Sequence, residues 1–543
     1  MKALRLASLL LVPLAGLAAD FNVRDYGATG DGHVIDSPAI DHAIDAAAAA
    51  GGGTVVIPAG EYLCYSIHLR SHVALYLGIG ATILAADPPP EGAPGGYDAP
   101  EPNAWEFYED FGHAHWHNSL IWGENLEDIS ITGPGRIFGR GLSRGWHGTR
   151  IAAAPGETTD TTPPDAELDA RSPLKPGPFG YPAGHDTLAA GVGNKAIALK
   201  NCRNVIFRDF TIFHGGHFAI LATGVDNWTC DNLKIDTNRD GIDFDCCQNV
   251  HVSNCTVNSP FDDGICPKSS YALGYPRMTE NITITNCQVS GFAEGTLLDG
   301  SRKLRADRHV GVGRIKCGTE SNGGFRNITI SNCVFDHCLG LALESVDGAQ
   351  MEDIAISNLT MRDIGNAPIF IRLGGRRRGP DHPPIGTARR IKIDNVIAHA
   401  VAPSGGIFIA GSPGHAIEDV TLSNIFIDYA GGGTKAQAAR KVPEMGGGYP
   451  EPDRWGALSS SALFARHAKN LNLHDVEFRF ASPDLRPALV LDDVAGVAID
   501  HLAVPRTAGT PAVRLHNVTA FDAVNSRGLP DTHLPGPIPG ADL

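Results

Sequence analysis

The chain has 543 residues, a formal net charge of −16 and 43% hydrophobic residues. That length can bury a large core, and the acidic balance excludes a nucleic-acid binder, because phosphate contacts need a basic surface. After the N-terminus no stretch has the ~20 consecutive apolar residues that a membrane span needs.

In chain order, residues 1–19 read as a secretory signal. Lys2 and Arg5 supply the basic start, and "LASLLLVPLAGLAA" supplies the apolar run and small-residue end. Residues 20–543 are then expected as one secreted or periplasmic domain. One helix follows: Ser37 reads as its N-cap, Pro38 as its first residue, "AIDHAIDAAAAA" as its body and Gly51 as its end. It lies between "FNVRDYGATGDG" and "GGTVVIPAGEYL", where it would cover an exposed first coil. Pro/Gly-rich stretches at 87–102, 154–184, 374–388 and 443–456 read as loops, since the strand pattern resumes after each.

From Asn204 the sequence repeats. "NVIFRDFTIF" is followed by segments of the same pattern starting at Asn227, Asn249, Asn281, Asn327, Asp353, Arg390, Asp419 and Asn470. Each reads as a short alternating strand, a polar corner and a second short strand. Such a period means a solenoid, and with no helix between the strands it means a parallel β-helix, each coil burying its face on the next. The expected fold is all-β, a single-stranded right-handed parallel β-helix with an N-terminal capping helix. Asn254, Asn286, Asn332, Asn358, Asn395 and Asn424 fall at the corner, where Asn tolerates the left-handed backbone and can bond to the amide one coil away. Cys255, Cys287 and Cys333 follow that corner and read as a buried stack. Cys246 with Cys247, and Cys333 with Cys338, remain as alternative pairs.

The stretch "NRDGIDFDC…NSPFDDGICPKSS" holds Asp240 and, 22 residues on, Asp262 and Asp263. One repeat is one coil, and neighbouring strands lie about 4.8 Å apart. The three carboxylates should therefore cluster. Solvated turn aspartates and a calcium site, with Asp243 and Asp245 joining, are the alternatives.

"FNVRDYGATGDG", "GGTVVIPAGEYL" and "NSLIWGENLEDISITGPGRIFGRG" resemble the start of pectinase-type β-helix proteins, and "NRDGID" with "FDDGICPKS", including Lys268, is similar to the signature of glycoside hydrolase family 28, the polygalacturonases and rhamnogalacturonases. The resemblance implies that Asp262 is a general acid and that Asp240 and Asp263 hold the attacking water. It also implies inversion of configuration, with carboxyls about 6.5–9.5 Å apart.

The chain departs from that family where a Gly-His-Gly turn and an Arg-Ile-Lys strand are usual. In the repeat's register, Ala342 and Glu344 stand where the Arg and Lys belong, and "GRIK", Gly313 to Lys316, falls near the usual histidine coil. Arg314 and Lys316 are thus expected to grip a substrate carboxylate from another coil. Glu294, His309 and Glu320 are candidates for the place of the missing histidine. Glu344 is expected to steady a neighbouring Arg or to bind a neutral hydroxyl. His214 and His217, one coil before Asp240, are expected to face the same cleft.

"HAHWH", His113 to His117, has metal-like alternation but reads as an aromatic loop flanking the cleft. Trp105, Tyr108, Trp116 and Trp146 are sugar-stacking or core residues. "RLGGRRRGP", Arg372 to Pro380, with Arg389 and Arg390, is the dense basic patch, read either as a solvated loop or as a distal uronate contact. The sequence thus points to a secreted, monomeric hydrolase of galacturonic-acid-containing pectin. No cofactor, metal, nucleic-acid or membrane partner is expected, and a rhamnose-alternating substrate should be favoured. A calcium-dependent lyase and a non-catalytic polysaccharide binder are the alternatives.

Overall fold

The computed structural model describes residues 20–144 and 190–543, apart from 91, 308, 381, 404, 405 and 506. The signal segment 1–19, the stretch 154–184 and Trp146 lie outside the described residues.

The chain forms a parallel β-helix. All nine sequence repeats fall in one register. Val205, Trp228, Val250, Ile282, Ile328, Ile354, Ile391, Val420 and Leu471, each following the first residue of its repeat, pair in consecutive coils. Every one is buried. Alternation along a strand turns these side chains inward, and each coil covers the next, burying about 1.5–3 kcal/mol per large side chain.

The corners are left-handed, with φ of 56° at Asn254 and Asn286 and 55° at Asn332. Their amides form the expected ladder: Asn286 donates to Asn254, Asn332 to Asn286, Asn358 to Asn332 and Asn395 to Asn358. A second ladder runs through the repeat starts Asn204, Asn227, Asn249, Asn281 and Asn327. Asn424 turns instead to Asp394. All eleven cysteines are buried with free thiols, and Cys255, Cys287 and Cys333 stack as neighbours.

Both ends of the described coil stack are covered. The helix Ser37–Ala49 packs Ile40, Ala43, Ile44 and Ala47 into the core. Its N-cap is Asp36, not Ser37. The Asp36 carboxylate accepts from Thr29 and Gly30 N–H, tying down the preceding loop, while Ser37 Oγ accepts from Tyr65 N–H. At the far end, Thr532–Asp542 pairs antiparallel with Val513–Val524 and closes the last open edge. No helix among the described residues is long and apolar enough to cross a membrane.

One sheet positions the site. It runs through Ser119–Glu124, Lys195–Lys200, Phe218–Thr223, Asp240–Asp245 and Ile265–Lys268. Ile315 bridges it to Lys316–Cys317, Leu341–Ser345 and Ile369–Leu373. Its outer face is covered on the N-terminal side by Trp116 with Phe218 and Leu221. On the C-terminal side Trp455 covers it with Phe370 and Phe408.

Candidate active site

Asp240 opens its strand, and Asp263 stands beside it one coil on, where Gly241 N–H donates to Asp263 O at 3.0 Å. Gly241 permits this approach, since a Cβ there would lie 2.4 Å from Gly264 O. One oxygen from each of Asp240, Asp262 and Asp263 lies within 4.8 Å of the others. The three carboxylates expected to cluster do so, between the two apolar covers.

The three differ in exposure. Asp240 and Asp263 are 2% and 1% exposed, whereas the Asp262 side chain is 24% exposed. Asp262 Oδ2 accepts from Arg239 Nη2 at 2.6 Å, and its Oδ1 accepts from Asp263 N–H. Burial alone would raise Asp263, but Lys316 and Arg314 outweigh it and hold that carboxyl down to about 2. Arg314 Nε is 2.8 Å from Asp263 Oδ1, and Lys316 Nζ is 3.1 Å from Oδ2. Asp240 goes the other way: burial, then the charges of Asp243 and Asp262, push it well above the usual carboxylate range.

Arg314 and Lys316, expected to grip a substrate carboxylate, are instead buried against Asp263. Arg314 also donates to both oxygens of Glu451, at 3.0 and 2.7 Å. Lys316 donates to Tyr449 Oη at 3.2 Å. Glu344 stands one coil beyond, as the register requires. It is fully buried, accepts from Thr319 Oγ1, lies 3.8 Å from Lys316 and has no surface on which to meet a sugar. Burial raises its carboxyl to about 7 against the pull of Lys316 and Arg314.

Glu320 pairs with Lys268 at 3.3 Å, and Lys268 lies 3.7 Å from Asp243. Glu294 pairs with Arg144 and with His214. His217 sits beside the strand that pairs with Asp240. Its Nδ1 meets Arg144 O, and burial with the Arg239 charge holds its imidazole well below the usual range, hence neutral. His309 is exposed on a loop, its N–H bonded to Asp307, and has no hydrogen bond or ion pair with the three aspartates. The structure therefore does not bring His309 to the site.

The histidines of "HAHWH" diverge. His113 Nε2 lies 3.5 Å from Asp243, His115 meets Glu106, and His117 meets Glu124. Trp116 is core, and Trp105 packs on Tyr108 and Tyr271. The basic patch divides: Arg377 is exposed and Arg389 and Arg390 are half-exposed partners of Glu352 and Asp353, whereas its other arginines turn inward. Arg376 and Arg378 are buried, paired with Asp347 and Asp110. Arg372 donates to Gly411 O beneath Trp455.

Two groups among the described residues bring metal-ligating atoms together: His113 with Asp240 and Asp243, and the three aspartates. Arg239, Lys268, Arg314 and Lys316 already face these carboxylates. A divalent cation would have to enter against that charge, so the donor set does not suit calcium.

Sequence reasoning missed Arg239, Tyr449 and Glu451 as site residues, and read His113 only as part of a loop flanking the cleft. Arg239 lies inside the quoted motif and was legible there. Glu451 reaches Arg314 from 137 residues away, and nothing in its own loop signals that contact.

The family described as rhamnogalacturonase A/epimerase, pectate lyase-like, matches residues 21–77. An exo-poly-alpha-D-galacturonosidase of Dickeya chrysanthemi is 28% identical over 261 residues, covering 45% of this chain and 40% of the relative. The chain thus matches less than half the length of that relative. The exopolygalacturonase of Thermotoga maritima superposes with a TM-score of 0.58 at 18% identity, covering 85% of this chain and 92% of that one. The family 28 exopolygalacturonase of Yersinia enterocolitica gives the same score and identity, over 94% and 80%. The fold is that of the pectinase-type β-helix.

Proposed function

We propose that this chain, a pectinase-type β-helix like those of glycoside hydrolase family 28, hydrolyses glycosidic bonds in galacturonic-acid-containing polysaccharide and works from chain ends. One observation carries the reading. Neighbouring carboxyls in one pocket are pushed apart, Asp263 held down by Arg314 and Lys316 and Asp240 pushed up by burial and the charges of Asp243 and Asp262, a separation that acid–base cleavage can use.

Asp262, the accessible member, delivers a proton to the leaving oxygen as its bond to the sugar breaks. Asp263, with Asp240, orients the attacking water, whose proton passes to the cluster as the new C–O bond forms. The names of the three relatives support action from chain ends.

Arg239, bonded to the partly exposed Asp262, and Arg305, 3.9 Å over the Phe261 ring beside it, are the cations that would meet a uronate on this reading. The preference for a rhamnose-alternating polymer rested on Glu344 facing the substrate, and its burial removes that support. On this reading residues 1–19 export the chain, and residues 20–543 act as one monomeric catalytic domain. The charge-compensated carboxylates weigh against a calcium-dependent lyase.

The test is product analysis on galacturonan. Release of short saturated products supports the reading. Unsaturated products absorbing in the ultraviolet, or no new reducing ends, overturn it.

A further inference from the structure

Resting on that reading, we propose that Tyr449 and Glu451 are positioning residues that clamp Lys316 and Arg314 onto Asp263. The segment 442–456 is then a strap that completes the site from far along the chain.

The clamp is built around one carboxylate. Each Asp263 oxygen has its own cation, Arg314 on Oδ1 and Lys316 on Oδ2. Each cation is held from its other side by the strap. Glu451 takes both terminal nitrogens of Arg314, leaving Nε aimed at Asp263. A guanidinium held by such a fork has little freedom to turn. The Tyr449 hydroxyl accepts from Lys316 Nζ at 3.2 Å and lies 3.1 Å from Thr319 Oγ1, which itself donates to Glu344.

The strap is itself fixed. Asn366 Nδ2 donates to Glu451 Oε1 at 2.9 Å, and Asn366 Oδ1 accepts from Gly340 N–H. Trp455, buried, packs edge-on against Phe370 and Phe408. Gly375 N–H donates to Gly446 O, and Arg372 donates to Glu444 O. The strap therefore crosses several coils and ends at the catalytic pocket.

Glu451→Gln removes the charge that fixes Arg314 and leaves the fold's apolar anchors alone. Its kcat is expected to fall about 10–100-fold with KM within about 2-fold, since the residue does not touch substrate. The acid limb of the kcat–pH profile should move upward, because a re-aimed Arg314 no longer holds Asp263 ionised as firmly. Tyr449→Phe should lower kcat less, and Glu451→Asp should restore the wild-type acid limb. An unchanged kcat and pH profile in Glu451→Gln overturns the clamp. If Glu451→Gln does not fold, Tyr449→Phe and Glu451→Asp carry the same decision.

A wild type inactive on every galacturonan tested would refute the proposed function, not the clamp. The clamp is then judged by a thermal-unfolding double-mutant cycle of Glu451→Gln with Asp263→Asn. Non-additive losses support it, and additive losses overturn it.

Discussion

Asp240 and Asp263 lie side by side in consecutive coils, joined by the bond from Gly241 N–H to Asp263 O, yet their carboxyls are driven in opposite directions. Both are buried to the same degree, so burial does not separate them. The difference is the pair of cations on Asp263, Arg314 and Lys316, which Asp240 lacks.

The first prediction concerns the acid. Asp262→Asn should lower hydrolysis by about 10²–10⁴-fold, because an amide cannot protonate a leaving oxygen. Its melting temperature should stay close to wild type, since Asp262 is the exposed member of the cluster. Asp240→Asn and Asp263→Asn should be nearly as damaging to rate. A rate above about a tenth of wild type in Asp262→Asn, outside that range, would remove Asp262 from the acid's place.

Glu344 gives a pH test of stability. Its folded carboxyl is raised to about 7 from an ordinary 4.5. A raised acid contributes stability that is fully present below about 4.5 and is lost as pH rises toward 7. Wild type should therefore lose melting temperature relative to Glu344→Gln across that window, and the gap should be constant above it. Parallel curves for the two proteins would contradict the burial of an ionisable Glu344.

The repeat was legible because corner Asn and inward aliphatic residues recur at fixed offsets, and Val205 through Leu471 stack as that spacing requires. The aspartate cluster was legible for the same reason, since Asp240 and Asp263 differ by one coil. The roles of Arg314, Lys316 and Glu344 were not. Sequence register places them on neighbouring coils, but whether a side chain faces substrate or another side chain depends on the loops above. Glu451 and Trp455, from one such loop, cover that face. The basic run at Arg376 and Arg378 misled similarly, because Asp110 and Asp347 that neutralise it lie elsewhere in the chain.

The external ladder can be tested at Asn281. Its φ is 59°, it donates to Asn249 at 3.0 Å, and it accepts from Asn327 at 2.7 Å. Asn281→Ala loses both bonds and strains the corner, for a cost of about 1–3 kcal/mol in urea unfolding. Asn281→Gly should be milder, because glycine accepts that backbone. Equal losses for the two would show that the corner conformation contributes nothing.

The thiols give a third structural test. Cys255, Cys287 and Cys333 are buried, and the neighbouring Cys255 thiol with burial pushes Cys287 up to about 12. The native protein should resist an aqueous thiol reagent, and unfolding should expose all eleven. Mass mapping under non-reducing conditions that finds two of the three bonded would contradict the stack.

The most direct measurement is a time course of wild type and Asp262→Asn on homogalacturonan and on rhamnose-alternating oligomers, following reducing ends, ultraviolet absorbance and product size together. The account predicts reducing ends without absorbance, short products from the earliest time points, and near-complete loss in Asp262→Asn. Rising absorbance, early mid-chain fragments, or full activity in Asp262→Asn would contradict it.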